Sequence, residues 1–399
     1  MGLFRYPVFM VMGIPFFLLF AVYGVVNAYL PILLFRLGYS ATLIGLLQGI
    51  FEASGLIFPI FVSTKVDKKG NYGFVMILLG LLMVIVLPPL VFIQNFWVTA
   101  VVLSLFAIGY KGAVPVADAL VSRNLGSGST NYGKVRVLGS IGFVCITLLL
   151  QFTRLINADS PLSIAVWIGL PAFLFSLSIV LLPGLLKQYP QTVVTSFDAI
   201  PETFRKKGIS ALKEFPFSFW FGIFLIFLGF LGMTPSQRFF SLYVQEYLHL
   251  KSYAGLWALA AAAEVPFMFL SGKFIRRFGT EKLIVISLLA ITVRNLVYAL
   301  FPSFGGAVAG QLFHSICFGL FHPAAVIFVC ERAPKRLMVV GLTLYSSVSV
   351  GIASVFGNVI GGVIIDSFGY RFLFTFFGIF PLIGIALFVM LRGRLYRRD

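Results

Sequence analysis

Glu264, Arg294 and His314 each stand inside a long apolar block of the sequence, where a charged or protonatable side chain needs a reason to be. Glu264 and Arg294 lie fifteen residues either side of Gly279, and Arg294 and His314 lie ten residues either side of Phe304. If the blocks are helices that turn at those two tips, the three share one level, about 22 Å from one tip and about 15 Å from the other at 1.5 Å per residue. A carboxylate, a guanidinium and an imidazole at one height can exchange a proton or hold a polar solute. Gln311, His314, Phe318 and His322 mark one face of the block that carries His314.

A second set lies earlier in the chain. Lys111, Pro115 and Asp118 recur at i, i+4 and i+7, which makes one helix face polar and interrupted by proline. Asp118 and Arg136 lie nine residues either side of Ser127, about 13 Å from that tip, and invite an ion pair near the membrane surface. Glu52 and Arg238 fall near mid-depth of their own blocks. Metal ligation is not indicated. His314 and His322 are about 12 Å apart along a helix, and no Cys or acid completes a ligand set. Nor do clustered nucleophiles suggest an enzyme, and no cofactor is implied.

The elements that must position these residues follow from composition. Hydrophobic residues make up 60% of the 399 and charged ones 11%, with a mean hydropathy of +1.02. A soluble protein carries about a quarter charged residues. Apolar blocks of about 20 residues match the roughly 30 Å hydrocarbon core of a bilayer. Twelve spans are expected, near 9–35, 42–63, 73–93, 96–121, 135–154, 163–186, 217–245, 253–272, 283–302, 305–330, 339–365 and 370–392. Helices satisfy their backbone within the segment, and no alternating ten-residue strands suggest a barrel. The expected class is an all-α membrane protein. A charge at mid-bilayer costs about 2.5–3.5 kcal/mol on insertion scales, and buried ion pairs are poor stabilisers, so the mid-depth charges point to function.

The net charge of +17 does not indicate nucleic acid, because the basic residues cluster in the connections. Of the 30 Lys and Arg residues, 23 fall on the side that includes both termini, four on the other, and three (Lys111, Arg238, Arg294) within spans. That asymmetry predicts both termini in the cytoplasm of a multi-pass protein of the inner (plasma) membrane. A basic segment, 187–216, divides the chain into a bundle at 1–186 and a bundle at 217–399. The halves echo each other at an offset of 208, as in Lys65 with Lys273 and Pro115 with Pro323, which predicts two pseudo-symmetric six-helix bundles.

The loops Ser63-Thr-Lys-Val-Asp67-Lys-Lys-Gly70 and Ser271-Gly-Lys-Phe-Ile-Arg276-Arg277-Phe-Gly279 resemble the basic loop of the major facilitator superfamily, although the first lacks its leading glycine. Val114-Pro115-Val-Ala-Asp118, Asn131-Tyr-Gly133-Lys-Val-Arg136 through Phe143, Ala263-Glu264-Val, and Gln311-Leu-Phe-His314 through His322-Pro-Ala resemble the phenylpropionate permease family of proton symporters. That family is related to lactose permease and the nucleoside–proton symporters. The resemblance implies the major facilitator fold and roles residue by residue. Asp118 and Arg136 match a substrate-binding acid–Arg pair, and Glu264, Arg294 and His314 match a coupling network. Two positions depart from lactose permease: Cys317 stands where it has a proton-carrying Glu, and Phe143 where it stacks a Trp on sugar.

The expectation is a proton-coupled symporter of a small organic solute, working as a monomer by alternating access of two halves. Proton coupling is assigned to Glu264, Arg294, His314 and His322. Solute contact is assigned to Asp118, Arg136, Phe143, Lys111, Glu52, Gln311 and Arg238. The partners are the solute, the proton and the lipid bilayer. A small aromatic or amphipathic solute is favoured. The alternatives are a proton-independent facilitator or proton-driven efflux carrier on the same fold, and a sugar or nucleoside symporter.

Overall fold

The computed structural model describes residues 8–69, 71–125, 130–182 and 208–395. Every regular element among them is helical, as expected for backbone that must satisfy its own hydrogen bonds away from water. Ten stretches are long and apolar enough to cross a membrane. One of them, Lys335–Leu391, is two spans that turn at Gly369, whose φ of 77° favours a residue without a side chain. Ala41–Leu56 adds the apolar part of a further helix, which brings the total to the twelve expected. Large apolar side chains point outward along them, among them Trp97, Phe152, Phe269 and Met390, where a soluble protein would place charge.

The chain divides into two compact units, Met1–Val193 with Ser252–Ala258, and Val194–Lys251 with Leu259–Asp399. In the first, helices α1 (Val8–Arg36), α2 (Ala41–Lys69), α3 (Tyr72–Ile85), α4 (Leu87–Phe92), α5 (Phe96–Leu125), α6 (Thr130–Thr153) and α7 (Pro161–Leu181) form the bundle. α1 packs on α6 and α7, α2 on α5, and α3 on α5 and α7. The third span is interrupted between α3 and α4, just before Pro88 and Pro89, whose missing N–H groups cannot continue the ladder. Arg36, at the end of α1, pairs with Asp159 at 2.9 Å and donates to the carbonyl of Ala158. Residues 252–258 join this unit, with Gln151 Oε1 accepting the Gly255 N–H at 2.9 Å.

The second unit contains α8 (Phe217–Arg238), α9 (Tyr253–Phe278, from Leu259 on), α10 (Thr280–Leu300), α11 (Phe304–Leu312), α12 (His314–Cys317), α13 (Phe321–Arg332), α14 (Met338–Leu344) and α15 (Ala353–Leu395). Two of the expected spans are irregular. The tenth stays helical through Phe313 (φ −61°, ψ −17°) and departs at 318–320, where Phe318 takes φ −124° and ψ −48°. The eleventh opens into a π-helical segment, Tyr345–Ile352, along Tyr-Ser-Ser-Val-Ser-Val-Gly-Ile. Side-chain bonds anchor the wider turns, as where Ser349 Oγ reaches the carbonyl of Ile223. Irregular turns of this kind collect at functional sites.

The segment 187–207 of the expected basic linker, and the Gly126–Gly128 tip between Asp118 and Arg136, lie outside the described residues. Beyond 207 the chain forms a 3-10 turn, Gly208–Glu214, and Glu214 pairs with Arg336 at 2.6 Å.

Candidate functional site

The second unit brings Glu264, Arg294, His314 and Gln311 together. Arg294 is 1% exposed, and its guanidinium bonds in three directions. Nε donates to Tyr298 Oη at 3.2 Å, Nη2 to Gln311 Oε1 at 2.6 Å, and Nη1 meets His314 Nδ1 at 3.2 Å. On its other side, His314 Nε2 lies 3.3 Å from Glu264 Oε2. Glu264 and Arg294 are joined through His314, whose imidazole stands between them.

That order fixes the tautomer. A guanidinium has only donors, so the nitrogen facing it must offer a lone pair. His314 is therefore unprotonated at Nδ1 and donates from Nε2 to the carboxylate. A carboxylate and a guanidinium thus flank one imidazole without direct contact between them. The break in the tenth span permits this approach. A Cβ at Gly319 would collide with the Ser315 carbonyl oxygen and lie 3.1 and 3.2 Å from the carbonyl oxygen and Cγ of Glu264.

From His314 the polar face continues as a ladder of rings. His314 and Phe318 lie 5.5 Å apart and 7° from parallel, and Phe318 and His322 5.3 Å apart and 1° from parallel. His322 Nδ1 is 2.6 Å from the Tyr345 hydroxyl, at the start of the π-helical segment. In the opposite direction Tyr298 leads into packed rings that include Phe240, Tyr243 and Phe374. Cys317 is fully buried on the segment that carries His314.

The first unit holds its own pair. Lys111 Nζ is 3.2 Å from Glu52 Oε2, and the ammonium lies 5.8 Å from the centroids of both Phe51 and Tyr110. Tyr110 stacks on Tyr23 at 3.9 Å, and the Tyr23 hydroxyl donates to the Tyr110 carbonyl at 2.7 Å. Gln48, one turn before Glu52, is buried, and its Nε2 finds no acceptor among the described residues; the same holds for Gln311 Nε2. Glu52 and Lys111 are thus joined, a pairing that their separate depths did not predict.

The expected ion pair between Asp118 and Arg136 does not form. The Arg136 guanidinium lies over the Phe20 ring at 4.3 Å and near Phe16 at 5.9 Å, while Asp118 has other interactions. The ring face supplies electrostatic attraction without a second buried charge, which lets a half-buried guanidinium do without a carboxylate. Phe143 is half-buried on α6 one turn before Thr147, which bonds back to its carbonyl. Arg238, also half-buried, ends α8 and has interactions of its own. Tyr298, Tyr345, Phe20 and Gln48 were not singled out from sequence. For two of them a signal existed, since Tyr298 follows Arg294 and Gln48 precedes Glu52 by one helical turn.

Residues 9–376 match the MFS_1 like family. The chain is 25% identical over 282 residues to the maltose permease of Geobacillus stearothermophilus, covering 70% of this chain and 68% of that one. It is 24% identical over 375 residues to a probable 3-phenylpropionic acid transporter of Escherichia coli (strain K12), covering 90% and 92%. Its fold is that of the nucleoside transporter NupG, with a TM-score of 0.81 at 14% identity over 97% of this chain and 99% of that one. A match of that extent, on a chain of apolar helices, settles the family: the protein belongs to the MFS_1 like family of major facilitator transporters, and is a membrane transporter rather than an enzyme.

Proposed function

We propose that this transporter is a secondary carrier that couples the entry of a small organic solute to the entry of a proton. The observation that carries this reading is the buried Glu264–His314–Arg294 chain, in which a carboxylate offsets a guanidinium through an imidazole. Protonating Glu264 removes the charge that offsets Arg294. Arg294 is then the natural partner of an anionic or hydroxyl-rich solute, so proton and solute load together. His322 lies on the same face and belongs to the proton side of the mechanism.

The proteins compared above are named for chemically different solutes: maltose, 3-phenylpropionic acid (as a probable assignment) and nucleosides. For this chain a small aromatic or amphipathic solute is favoured, because rings flank both charged groups and Phe143 stands in place of an indole. Glu52, Lys111, Gln48 and Gln311 supply polar contacts; a buried donor without an acceptor costs about 1–3 kcal/mol, which a bound solute relieves. Asp118, Arg136 and Arg238 are further proposed solute contacts. The two six-helix bundles would move by alternating access, in a monomer whose basic face and both termini lie in the cytoplasm.

The test is uptake into proteoliposomes under an imposed pH gradient, after a thermal-shift screen of aromatic carboxylates, nucleosides and disaccharides has found a stabilising solute. Glu264→Gln is expected to keep solute-induced stabilisation and lose gradient-driven accumulation. Accumulation by Glu264→Gln equal to wild type sinks the proton assignment. Uptake by wild type that ignores the pH gradient identifies a facilitator instead, and release against the gradient an efflux carrier.

A further inference from the structure

The ladder of rings on the tenth span contains two sites that can hold a proton, with a ring that cannot hold one between them. Glu264 and His314 form the first site. Arg294 and Tyr298 face it from α10, and Cys317 lies on its own segment. The second is His322 with the Tyr345 hydroxyl, which faces it from the π-helical segment. The Phe318 ring lies 5.5 Å from the His314 ring and 5.3 Å from the His322 ring. Phe318 lies between, nearly parallel to both imidazoles, and has neither donor nor acceptor to extend a hydrogen-bonded chain past it. It also sits at the break, beside Gly319, where the backbone departs from helical geometry.

We propose that the ring of Phe318 is an insulating partition between two proton-holding stations, Glu264–His314 and His322–Tyr345, and that proton passage along this span waits for that ring to leave the stack. The inference rests on the proton-coupled reading above. While the ring is stacked, a proton on Glu264 stays there with the solute. When the ring swings aside, water enters: the Glu264 carboxyl releases the proton, water carries it, and His322 accepts it on a ring nitrogen. Glu264 is again a carboxylate, Arg294 is again offset, and His322 is an imidazolium that passes the proton on to solvent. A carrier needs such a partition, since a continuous wire would discharge the gradient without moving solute.

The experiment needs no solute. Purified wild type and variants are reconstituted into vesicles containing a trapped pH dye, the membrane potential is clamped with potassium and valinomycin, and the outside is acidified. Wild type is expected to admit protons slowly. Phe318→Ala should raise the rate about tenfold, the equivalent of a barrier lowered by roughly 1.4 kcal/mol. Phe318→Trp should stay as tight as wild type, and adding His322→Asn to Phe318→Ala should bring the rate back down. Ile316→Ala, off the ladder, should not leak; if it leaks as much, the leak is a packing defect and the proposal fails. It also fails if folded Phe318→Ala is as tight as wild type, or if its leak survives His322→Asn. Should the alanine variant not fold, Phe318→Leu carries the same test with a smaller leak. The two readings part cleanly. Proton entry driven by solute in wild type with a tight Phe318→Ala removes the partition alone. A leaking Phe318→Ala with no solute-driven proton entry in wild type removes the symport reading alone.

Discussion

Replacing Gly319 by alanine should uncouple the carrier although position 319 has no side chain to do chemistry. The added Cβ would lie 3.1 Å from the carbonyl oxygen and 3.2 Å from Cγ of Glu264, and would collide with the Ser315 carbonyl. Ordinary carbon contacts fall at about 3.5–4.0 Å, so the tenth span and α9 must part by roughly half an ångström. The Glu264–His314 contact, at 3.3 Å, already stands at the long edge of hydrogen-bonding range, so that displacement removes it. Loss of a bond to a charged group costs about 1.5–3 kcal/mol, and overpacking a close-packed interior about 1–3 kcal/mol. Gly319→Ala should therefore lose about 2.5–6 kcal/mol, read as a thermal midpoint several degrees lower in detergent, together with loss of gradient-driven uptake. Gly305→Ala is the control, because its Cβ would meet nothing closer than Ser303 Oγ at 3.8 Å. A Gly319→Ala protein with wild-type midpoint and uptake would refute the claim that this close approach sets the Glu264–His314 geometry.

Other substitutions test separate parts of the site. Arg294→Lys keeps the charge but cannot reach Tyr298, Gln311 and His314 at once; the midpoint should fall by an amount equivalent to about 2–4 kcal/mol, and uptake should be lost. Glu52→Gln alone leaves the Lys111 ammonium without its carboxylate and should destabilise the protein. Adding Lys111→Met should recover much of that loss in a double-mutant cycle on the thermal midpoint, and strictly additive effects would mean the pair is not coupled. Arg36→Ala removes a pair whose acid is largely exposed, so the midpoint should change by the equivalent of no more than about 1 kcal/mol.

The twelve spans were legible because lipid imposes its requirement residue by residue. About twenty apolar side chains in a row admit few other readings. The expected common level of Glu264, Arg294 and His314 rests on a related argument, since hairpin tips and a fixed rise convert sequence distance into depth. Contact within a level was not. Nothing in the spacing places His314 between the other two, because that depends on the rotation of each helix and on the break at Phe318. Asp118 and Arg136 show the same limit from the other side: their spacing predicts matching depths, yet Arg136 turns its guanidinium onto Phe20. Depth is a one-dimensional coordinate, and the ring face that competes for a guanidinium belongs to a helix more than a hundred residues earlier in the chain.

The charge balance of the buried group bears on what accompanies the proton. On the proposed reading, an ionised Glu264, a neutral His314 and Arg294 sum to zero, so the empty carrier would return without moving charge through this site. One proton on Glu264 brings the sum to plus one, and a monovalent anion beside Arg294 restores zero. Uptake of a monovalent carboxylate with one proton should therefore be indifferent to membrane potential, whereas a neutral solute carried with one proton should follow it. One charge across 100 mV is worth about 2.3 kcal/mol, or roughly a fiftyfold change in accumulation ratio. The measurement is steady-state accumulation in proteoliposomes at fixed pH gradient, with the potential set by potassium and valinomycin. A flat response for the anion and a steep one for the neutral solute is expected. Anion accumulation that rises steeply with potential would mean that more than one proton enters per anion, and that a second acid joins Glu264 in the cycle.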